Sequence, residues 1–239
     1  MLTNLHDLPA PFVRAVTFDP YDPGECDITV TGLLKPPQMM YLEHLHGAEI
    51  TEDVMDRHWL LEGKALHHWL WYAAEQLGLE NLVAEKRRFM QVLGWTISGQ
   101  VDVYYDAETR TIIDYKRTHT YSLRRDHDDW IQQLNLYAHL WRNDGFDVDG
   151  LTVIASLRDW AKSRIGQSSY PQTPLVSIEI PLWPPEQAQA FLETRVRIHQ
   201  NAREGHYLPC SDEETWQGKR CESYCKARPW CKQAGGRDY

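Results

Sequence analysis

Two apolar runs between residues 99 and 118 each carry an aspartate where a β-strand normally continues with an apolar side chain. The segment reads GQVDVYYDAETRTIIDYKRT, in which Asp102 follows Val101 and Asp114 follows Ile113. The polar stretch DAETR between the runs is typical of a hairpin turn. The pattern therefore predicts two neighbouring strands that bring two carboxylates into an apolar part of a sheet.

Buried carboxylates repel one another, and each resists ionisation in a low dielectric. A divalent cation removes this conflict, because Mg²⁺ and Mn²⁺ prefer oxygen ligands. Lys116 lies two residues beyond Asp114, so on a strand both side chains project from the same face. This arrangement predicts a metal with an ammonium group nearby and room for a phosphate and its attacking water. A salt bridge between Asp114 and Lys116 at a strand edge is the simpler interpretation of this triplet alone.

The rest of the chain reads as an α/β protein. A helix is predicted from Pro36-Pro37 into MMYLEHLH, where prolines suit a helix start. Further helices are predicted at 52–77, 126–143 and 184–205. Strands are predicted at 28–34, 82–92, 95–105, 110–117, 151–157 and 175–182. We expect an extended segment at 1–27 and a polar, mobile loop at 161–174.

Two helical patterns supply further polar side chains. His67 follows Gly63 by four residues, and Gln133 and Tyr137 lie four residues apart on one helix face. Alone, His67 fits a half-buried core histidine, and the second pair fits an ordinary amphipathic helix. In chain order, however, G-x-x-x-H, G-x-V-D, I-x-D-Y-K and Q-L-x-x-Y resemble the RecB-type branch of the PD-(D/E)XK nucleases. That branch includes the nuclease domains of bacterial recombination helicases and the CRISPR-associated exonucleases.

The resemblance implies a role for each matching residue. His67, Asp102 and Asp114 would bind Mg²⁺ or Mn²⁺, together with the backbone carbonyl of Tyr115. Lys116 would be the catalytic lysine. The implied fold is an α/β fold of the restriction-endonuclease-like type, with a mixed central sheet flanked by helices.

Three further residues bear on the resemblance, which covers about residues 28–141. Gln133 and Tyr137 would orient the site and the DNA backbone. Glu85 on the preceding strand would hold a metal-bound water or a second ion, although a surface position is its alternative. The proline of the family's name is replaced here by Val101.

Four of the five cysteines lie near the end of the chain, at spacings of ten, three and five intervening residues. These are Cys210, Cys221, Cys225 and Cys231. Four thiolates so placed can bind one Zn²⁺ or a 4Fe–4S cluster, and a disulfide pair is the alternative. Several RecB-like nucleases hold a 4Fe–4S cluster with three late cysteines and one early cysteine. Because Cys26 lies too early for that role, we expect Cys210 to be the fourth ligand, and zinc stays the alternative metal.

The motifs divide the chain into a nuclease core, 1–205, and a cysteine-rich metal-cluster tail, 206–239, packed on the core. Basic residues near the core motifs are candidates for phosphate contacts, with an ordinary solvated surface as the alternative: Lys116, Arg117, Arg124, Arg125, Lys162 and Arg164. Aromatic residues that could stack on single-stranded bases are Tyr121, Trp160 and Tyr170.

The net charge of −9 does not favour a general nucleic-acid binder, but an enzyme needs only a local basic groove. The beginning of the chain has no basic and apolar signal segment, and no apolar run approaches a membrane span. We therefore expect a cytoplasmic protein of a bacterium or a phage-infected cell. The expected function is a metal-dependent exonuclease that acts on DNA ends or single strands with a recombination or replication partner. A catalytically weak DNA-binding subunit of a larger complex is the alternative.

Overall fold

A computed structural model describes residues 1–19, 21–78 and 80–235 of the chain. The last four residues of the predicted cysteine-rich tail, 236–239, lie outside the described residues. No helix in the described ranges is long and apolar enough to cross a lipid bilayer.

The chain divides into two compact units. The first unit contains residues 1–58 and 91–96 and the chain from 190 onward. The second unit contains residues 59–90 and 97–189. These limits differ from the division at residue 205 that the motifs predict.

The described part of the chain contains eight strands and eight α-helices. The strands are β1 (Leu2–Thr3), β2 (Ile28–Thr29), β3 (Glu52–Asp53), β4 (Leu82–Val92), β5 (Trp95–Asp106), β6 (Arg110–Thr118), β7 (Gly150–Leu157) and β8 (Leu175–Ile180). The helices are α1 (Ala10–Thr17), α2 (Val30–Leu33), α3 (Pro37–Leu45), α4 (His58–Leu77), α5 (Asp128–Asn143), α6 (Pro185–Arg203), α7 (Asp212–Thr215) and α8 (Lys219–Ser223).

The second unit is built on a sheet with the order β5-β6-β7-β8, in which β4 also pairs with β5. Strands β5 and β6 are antiparallel, with Val103 opposite Ile113. Strands β6 and β7 are parallel, with Lys116 opposite Ala155, and α5 lies between them in the chain. Strands β7 and β8 are again antiparallel. The prediction of a mixed central sheet flanked by helices is confirmed.

Alternating burial explains why these segments form strands. Along β7, every second residue is buried, beginning at Leu151 and ending at Leu157. On β6, Ile112 is fully buried and Asp114 is only 3% exposed. A carboxylate thus occupies a position on β6 where the alternation places a core side chain.

The buried face of α5 follows the predicted helical spacing. Trp130, Leu134, Tyr137 and Trp141 are all buried. Trp141 stacks on Tyr104 of β5, with 4.4 Å between the ring centroids. Because both rings lie in the core, this stacking fixes α5 against the sheet that carries the two aspartates.

Helix α4 begins at His58 rather than at residue 52. The segment before it forms β3 and a separate 3₁₀ turn, whose first amides are satisfied by the Asp53 side chain. The helix then continues through Gly63 and ends at Leu77. Gly78 follows with a φ of +56°, a left-handed conformation that commonly ends a helix.

The segment 1–27 was predicted to be extended, and this is wrong over α1. Phe12, Val13 and Val16 recur at helical spacing there, and Val16 is buried. Pro9 precedes the helix with a φ of −58°, which suits a helix start. The proline and glycine content of the surrounding segment conceals this short helix.

In the first unit, two side chains of α6 bind the end of α2. Arg195 Nε donates to the Leu33 carbonyl oxygen at 2.7 Å, and His199 Nε2 donates to the same oxygen at 3.0 Å. The described part of the cysteine-bearing tail contains α7, α8 and two 3₁₀ turns. Its Ala227 and Cys231 pack against Met39 of α3.

Candidate active site

His67 on α4 and Asp102 on β5 are in direct contact. His67 Nδ1 lies 3.1 Å from Asp102 Oδ1. The other oxygen, Oδ2, accepts a hydrogen bond of 2.6 Å from the backbone amide of Tyr115 on β6. These contacts hold the carboxylate between the helix and the neighbouring strand. The second contact carries no sequence signal, because any residue can supply a backbone amide.

Glu85 completes a compact group of metal-binding side chains. The ligand atoms of His67, Glu85 and Asp102 all lie within 4.8 Å of one another. Within the described part of the chain, this is the only such group of three or more histidine, cysteine, aspartate or glutamate side chains. Glu85 has a φ of +49°, an unusual value for a non-glycine residue in a strand. Its carboxylate accepts a hydrogen bond from Gln100 on β5.

Asp114 and Lys116 project from the same face of β6, as the strand period predicts. Lys116 Nζ lies 2.8 Å from Asp114 Oδ2. Lys116 Nζ also donates to Gln133 Oε1 at 2.9 Å. Gln133 Nε2 donates to the Tyr137 hydroxyl at 2.9 Å. The predicted face of α5 therefore supports the lysine through a short hydrogen-bonded chain.

The charges in the site shift several pKa values. Burial raises the pKa of Asp114 to about 6, against the opposing effect of the Lys116 ammonium. Burial lowers the pKa of Lys116, but the Asp114 carboxylate outweighs this and the net pKa is raised. Burial also raises the pKa of Glu85, and the nearby Asp102 carboxylate adds to this shift. Burial lowers the pKa of His67, but its contact with Asp102 gives a net increase.

These residues fit a divalent cation. The carboxylates of Glu85 and Asp102 lie beside an imidazole nitrogen, and the resulting negative charge favours a bound cation. Oxygen ligands suit Mg²⁺ and Mn²⁺, and imidazole is a common additional ligand of first-row metals. Asp114 lies outside this compact group and is paired with Lys116. The assignments of Asp114 and of the Tyr115 carbonyl as metal ligands therefore stay predictions.

Four cysteines border one small cavity in the first unit. They are Cys210, Cys221, Cys225 and Cys231. Gln38 lies beside two of them: its Oε1 accepts from Cys210 Sγ at 3.3 Å, and its Nε2 lies 3.6 Å from Cys231 Sγ. The Cys26 thiol instead contacts the Pro23 carbonyl oxygen at 3.5 Å, away from this cavity.

Ionising all four of these cysteines without a bound metal is electrostatically unfavourable. Burial raises the pKa of Cys210 to about 12, and the charges of Glu214 and of the other three cysteines add to this shift. Burial likewise raises the pKa of Cys225. None of the five cysteines is joined to another by a disulfide bond, so the disulfide alternative has no support among the described residues. A bound metal is the usual way to stabilise several thiolates at one place.

The predicted stacking residues differ in their exposure. Tyr121 is 63% exposed and accessible to a ligand. Tyr170 is 5% exposed, and its hydroxyl accepts from the Ala161 amide at 2.7 Å, so its predicted stacking role is wrong. Trp160 is partly buried and donates to the Pro171 carbonyl at 2.9 Å. The loop 161–174 thus turns its one aromatic residue, Tyr170, inward, which its polar composition does not reveal.

The family of the chain follows from a family model. The model of the PD-(D/E)XK nuclease superfamily matches residues 35–232, which is more than half of the chain. The chain therefore belongs to the PD-(D/E)XK nuclease superfamily. Members of this superfamily are hydrolytic nucleases that typically use Mg²⁺ or Mn²⁺. The predicted superfamily is confirmed, and the RecB-type branch stays a prediction.

Solved structures show a similar fold. A protein named SSO0001 has a TM-score of 0.58 and 15% sequence identity, over 93% of this chain and 92% of that chain. At this identity the similarity concerns the fold alone. A proposed exonuclease from Eubacterium rectale has a lower TM-score of 0.39 and 12% identity, over 55% of this chain and 48% of that chain. No curated relative matches the chain.

Proposed function

We propose that this chain is a metal-dependent DNA nuclease of the RecB-like branch that hydrolyses phosphodiester bonds. The observation that carries this proposal is the convergence of His67, Glu85 and Asp102 within 4.8 Å in a member of a nuclease superfamily. The buried Asp114–Lys116 pair on the neighbouring strand adds support.

His67 and Asp102 would hold the divalent ion, with Asp114 and the Tyr115 carbonyl as further ligands. When bound, the ion would lower the pKa of a water molecule and neutralise phosphate charge. Glu85 would hold a metal-bound water or a second ion. Its hydrogen bond from Gln100 supports this role, because it fixes the carboxylate beside Asp102.

Lys116 would position the attacking water or stabilise the negative charge that develops on the phosphate. Gln133 restrains the ammonium through the 2.9 Å hydrogen bond to its Oε1. Tyr137 restrains Gln133 in turn through its hydroxyl. This support favours a preorganised lysine, which stabilises a transition state without reorganisation during the reaction.

We further propose that the enzyme is an exonuclease on DNA ends or single strands. The motifs include no module for reading base sequence, which argues against a sequence-specific cutter. The proposed setting is recombination or replication in the cytoplasm of a bacterial or phage-infected cell, with a partner protein of that process. This setting rests on the resemblance to RecB-type nucleases.

The proposed activity is tested with DNA labelled at either end, single-stranded or double-stranded, in the presence of Mn²⁺. We expect progressive shortening by the wild-type protein and no reaction in EDTA. Lys116→Ala and Asp102→Asn should lose activity, whereas Lys219→Ala, at an exposed lysine at the start of α8, should retain it. A wild-type protein that binds DNA but cuts none of these substrates would leave the DNA-binding subunit as the function.

We propose that the four late cysteines hold a 4Fe–4S cluster. Four thiolates bound to one zinc ion lie about 4 Å apart, because each Zn–S bond is about 2.3 Å. Within the described residues, no three cysteine sulfurs lie within 4.8 Å of one another. The choice of a 4Fe–4S cluster over zinc rests on the resemblance to RecB-like nucleases, several of which hold such a cluster with three late cysteines.

Anaerobic purification followed by metal analysis distinguishes a 4Fe–4S cluster from a zinc ion in the cysteine cavity. We expect a brown protein with broad visible absorption and four iron atoms per chain, a ratio that follows from the cluster itself. A colourless protein that contains about one zinc ion per chain would assign the cavity to zinc.

A further inference from the structure

An arginine at the carboxyl ends of the parallel strands lies against an exposed tryptophan. Arg158 directly follows β7, and its backbone amide donates to the carbonyl oxygen of Thr118 at 2.8 Å. Its guanidinium carbon lies 4.2 Å from the ring centroid of Trp59 on α4. Trp59 is 55% exposed. In open α/β sheets, the carboxyl ends of the strands are where ligands bind.

A chain of polar contacts orients the guanidinium. Arg158 Nε donates to His119 Nε2 at 2.8 Å, and Nη2 donates to the same nitrogen. This nitrogen accepts both contacts, and the other ring nitrogen, Nδ1, is 3.7 Å from Asp159 Oδ1. Asp159 is held by the Thr120 amide at 2.7 Å and the Thr120 hydroxyl at 2.9 Å. We call Trp59, His119 and Arg158 the arginine platform.

The guanidinium retains capacity for a ligand. A guanidinium has five N–H groups, and the contacts with His119 use two of them. Within the described residues, the Arg158 side chain has no further hydrogen bond. Two parallel N–H groups of a planar guanidinium match a phosphate geometrically, and stacking on an indole fixes the plane in advance.

The arginine platform lies a short distance from the candidate active site. Thr118 is two residues beyond Lys116 on β6, which corresponds to about 7 Å along the strand. Trp59 is eight residues before His67 on α4, which corresponds to about 12 Å along the helix axis. Neighbouring phosphates in an extended nucleic-acid strand are spaced on the same scale as the first of these distances. The platform is therefore one or two nucleotides from the candidate metal site.

We propose that Arg158 binds a backbone phosphate of the substrate strand one or two nucleotides from the scissile bond. The ligand is the phosphodiester backbone of a single-stranded nucleic acid, and His119 and Trp59 are positioning residues for the guanidinium. This proposal rests on the proposed nuclease function and adds a substrate-binding subsite to it. The contact involves no base edge, so it strengthens binding equally for all sequences.

Binding is measured by fluorescence anisotropy with a labelled oligo-dT strand in EDTA over a series of salt concentrations. Arg158→Gln should weaken binding about tenfold at low salt and reduce the slope of log K against log salt by about 0.7. Arg110→Gln removes the same charge from the other end of β6, where Arg110 pairs with Asp147 and Asp149. This control variant should keep the wild-type slope.

Arg158→Lys is a control for a folding defect in Arg158→Gln. It keeps the positive charge but loses the planar guanidinium and its stacking on Trp59. It should keep the wild-type slope and bind several-fold more weakly than the wild type. A wild-type slope for Arg158→Gln, in a protein that still cuts in Mn²⁺, overturns the subsite and leaves the nuclease function intact. A wild-type protein that neither binds the strand nor cuts it overturns both.

Discussion

Lys116 Nζ lies 2.8 Å from Asp114 Oδ2 on a part of β6 where Asp114 is only 3% exposed. Each of these charges therefore depends on the other for its stability inside the protein. Removing one partner of such a pair leaves a buried charge without compensation, whereas the intact pair contributes little net stability. The same contact places the ammonium beside the group of His67, Glu85 and Asp102, so it bears on both folding and the proposed chemistry.

Lys116→Gln should therefore affect stability and activity together. Without metal at pH 7, we expect the free energy of unfolding to fall by about 3 kcal/mol, because Asp114 loses its cation. With Mn²⁺, we expect cleavage of single-stranded DNA to slow by at least about 100-fold. Urea denaturation and single-turnover cleavage measure the two effects. Cleavage at the wild-type rate by a folded Lys116→Gln protein would remove the lysine from the mechanism.

Glu85→Gln should separate the metal site from the fold. Burial raises the pKa of Glu85, and the nearby Asp102 carboxylate adds to this shift. Neutralising Glu85 should not lower the free energy of unfolding of the metal-free protein. It should raise this free energy by up to about 1 kcal/mol relative to the wild type, as expected for a strained functional site. The stabilisation by added Mn²⁺ should become smaller, because binding to the folded state is weaker. Thermal melts with EDTA and with Mn²⁺ measure both effects.

Glu108→Gln is the matched control for Glu85→Gln, since Glu108 is exposed in the turn between β5 and β6. It should respond to Mn²⁺ like the wild type. Equal stabilisation of the wild type and Glu85→Gln by Mn²⁺ would show that Glu85 takes no part in the metal site.

Local periodicity was sufficient to predict the sheet face and the helix face of the site. The two-residue spacing of Asp114 and Lys116 and the four-residue spacing of Gln133 and Tyr137 each place two side chains together, as the structure has them. His67 and Asp102 are 35 residues apart in the chain. Their pairing came from the resemblance to a family, because no local rule specifies a contact over such a distance.

Backbone geometry and burial in loops were not predictable. Glutamate has no preference for a positive φ, so nothing in the sequence indicated the backbone conformation at Glu85. Tyr170 stands in a polar loop, yet its hydroxyl accepts from a backbone amide and its ring is buried. Arg158 and Trp59 come from elements far apart in the chain, and their contact depends on tertiary packing.

His199 should make stability depend on pH in the acid range. Burial lowers the pKa of His199 to about 4, and the positive charge of Arg195 adds to this shift. In the unfolded chain the pKa of a histidine is about 6.5. Between the folded and the unfolded pKa, the unfolded state therefore binds more protons than the folded state. The contribution is complete above the unfolded pKa and is lost as the pH falls through this window. It amounts to at most about 3 kcal/mol.

His199→Gln keeps a donor for the Leu33 carbonyl oxygen but cannot titrate. Denaturation with urea in EDTA between about pH 4.5 and 7.5 should show a smaller loss of stability in the variant than in the wild type. Titration of the candidate active site is common to both proteins and cancels in the difference. Parallel curves for the two proteins would contradict a buried neutral His199.

Two single replacements should distinguish a cysteine that borders the cavity from Cys26, which does not. Cys225 borders the cavity in the first unit, whereas Cys26 contacts the Pro23 carbonyl away from it. Because binding of a metal cluster contributes to folding free energy, Cys225→Ala should lose most of its iron and melt at a temperature lower by roughly 5 °C or more. Cys26→Ala should keep the wild-type iron content and melting temperature. Iron analysis and calorimetry on anaerobic samples measure both, and equal iron content in the two variants would exclude Cys225 from the cluster.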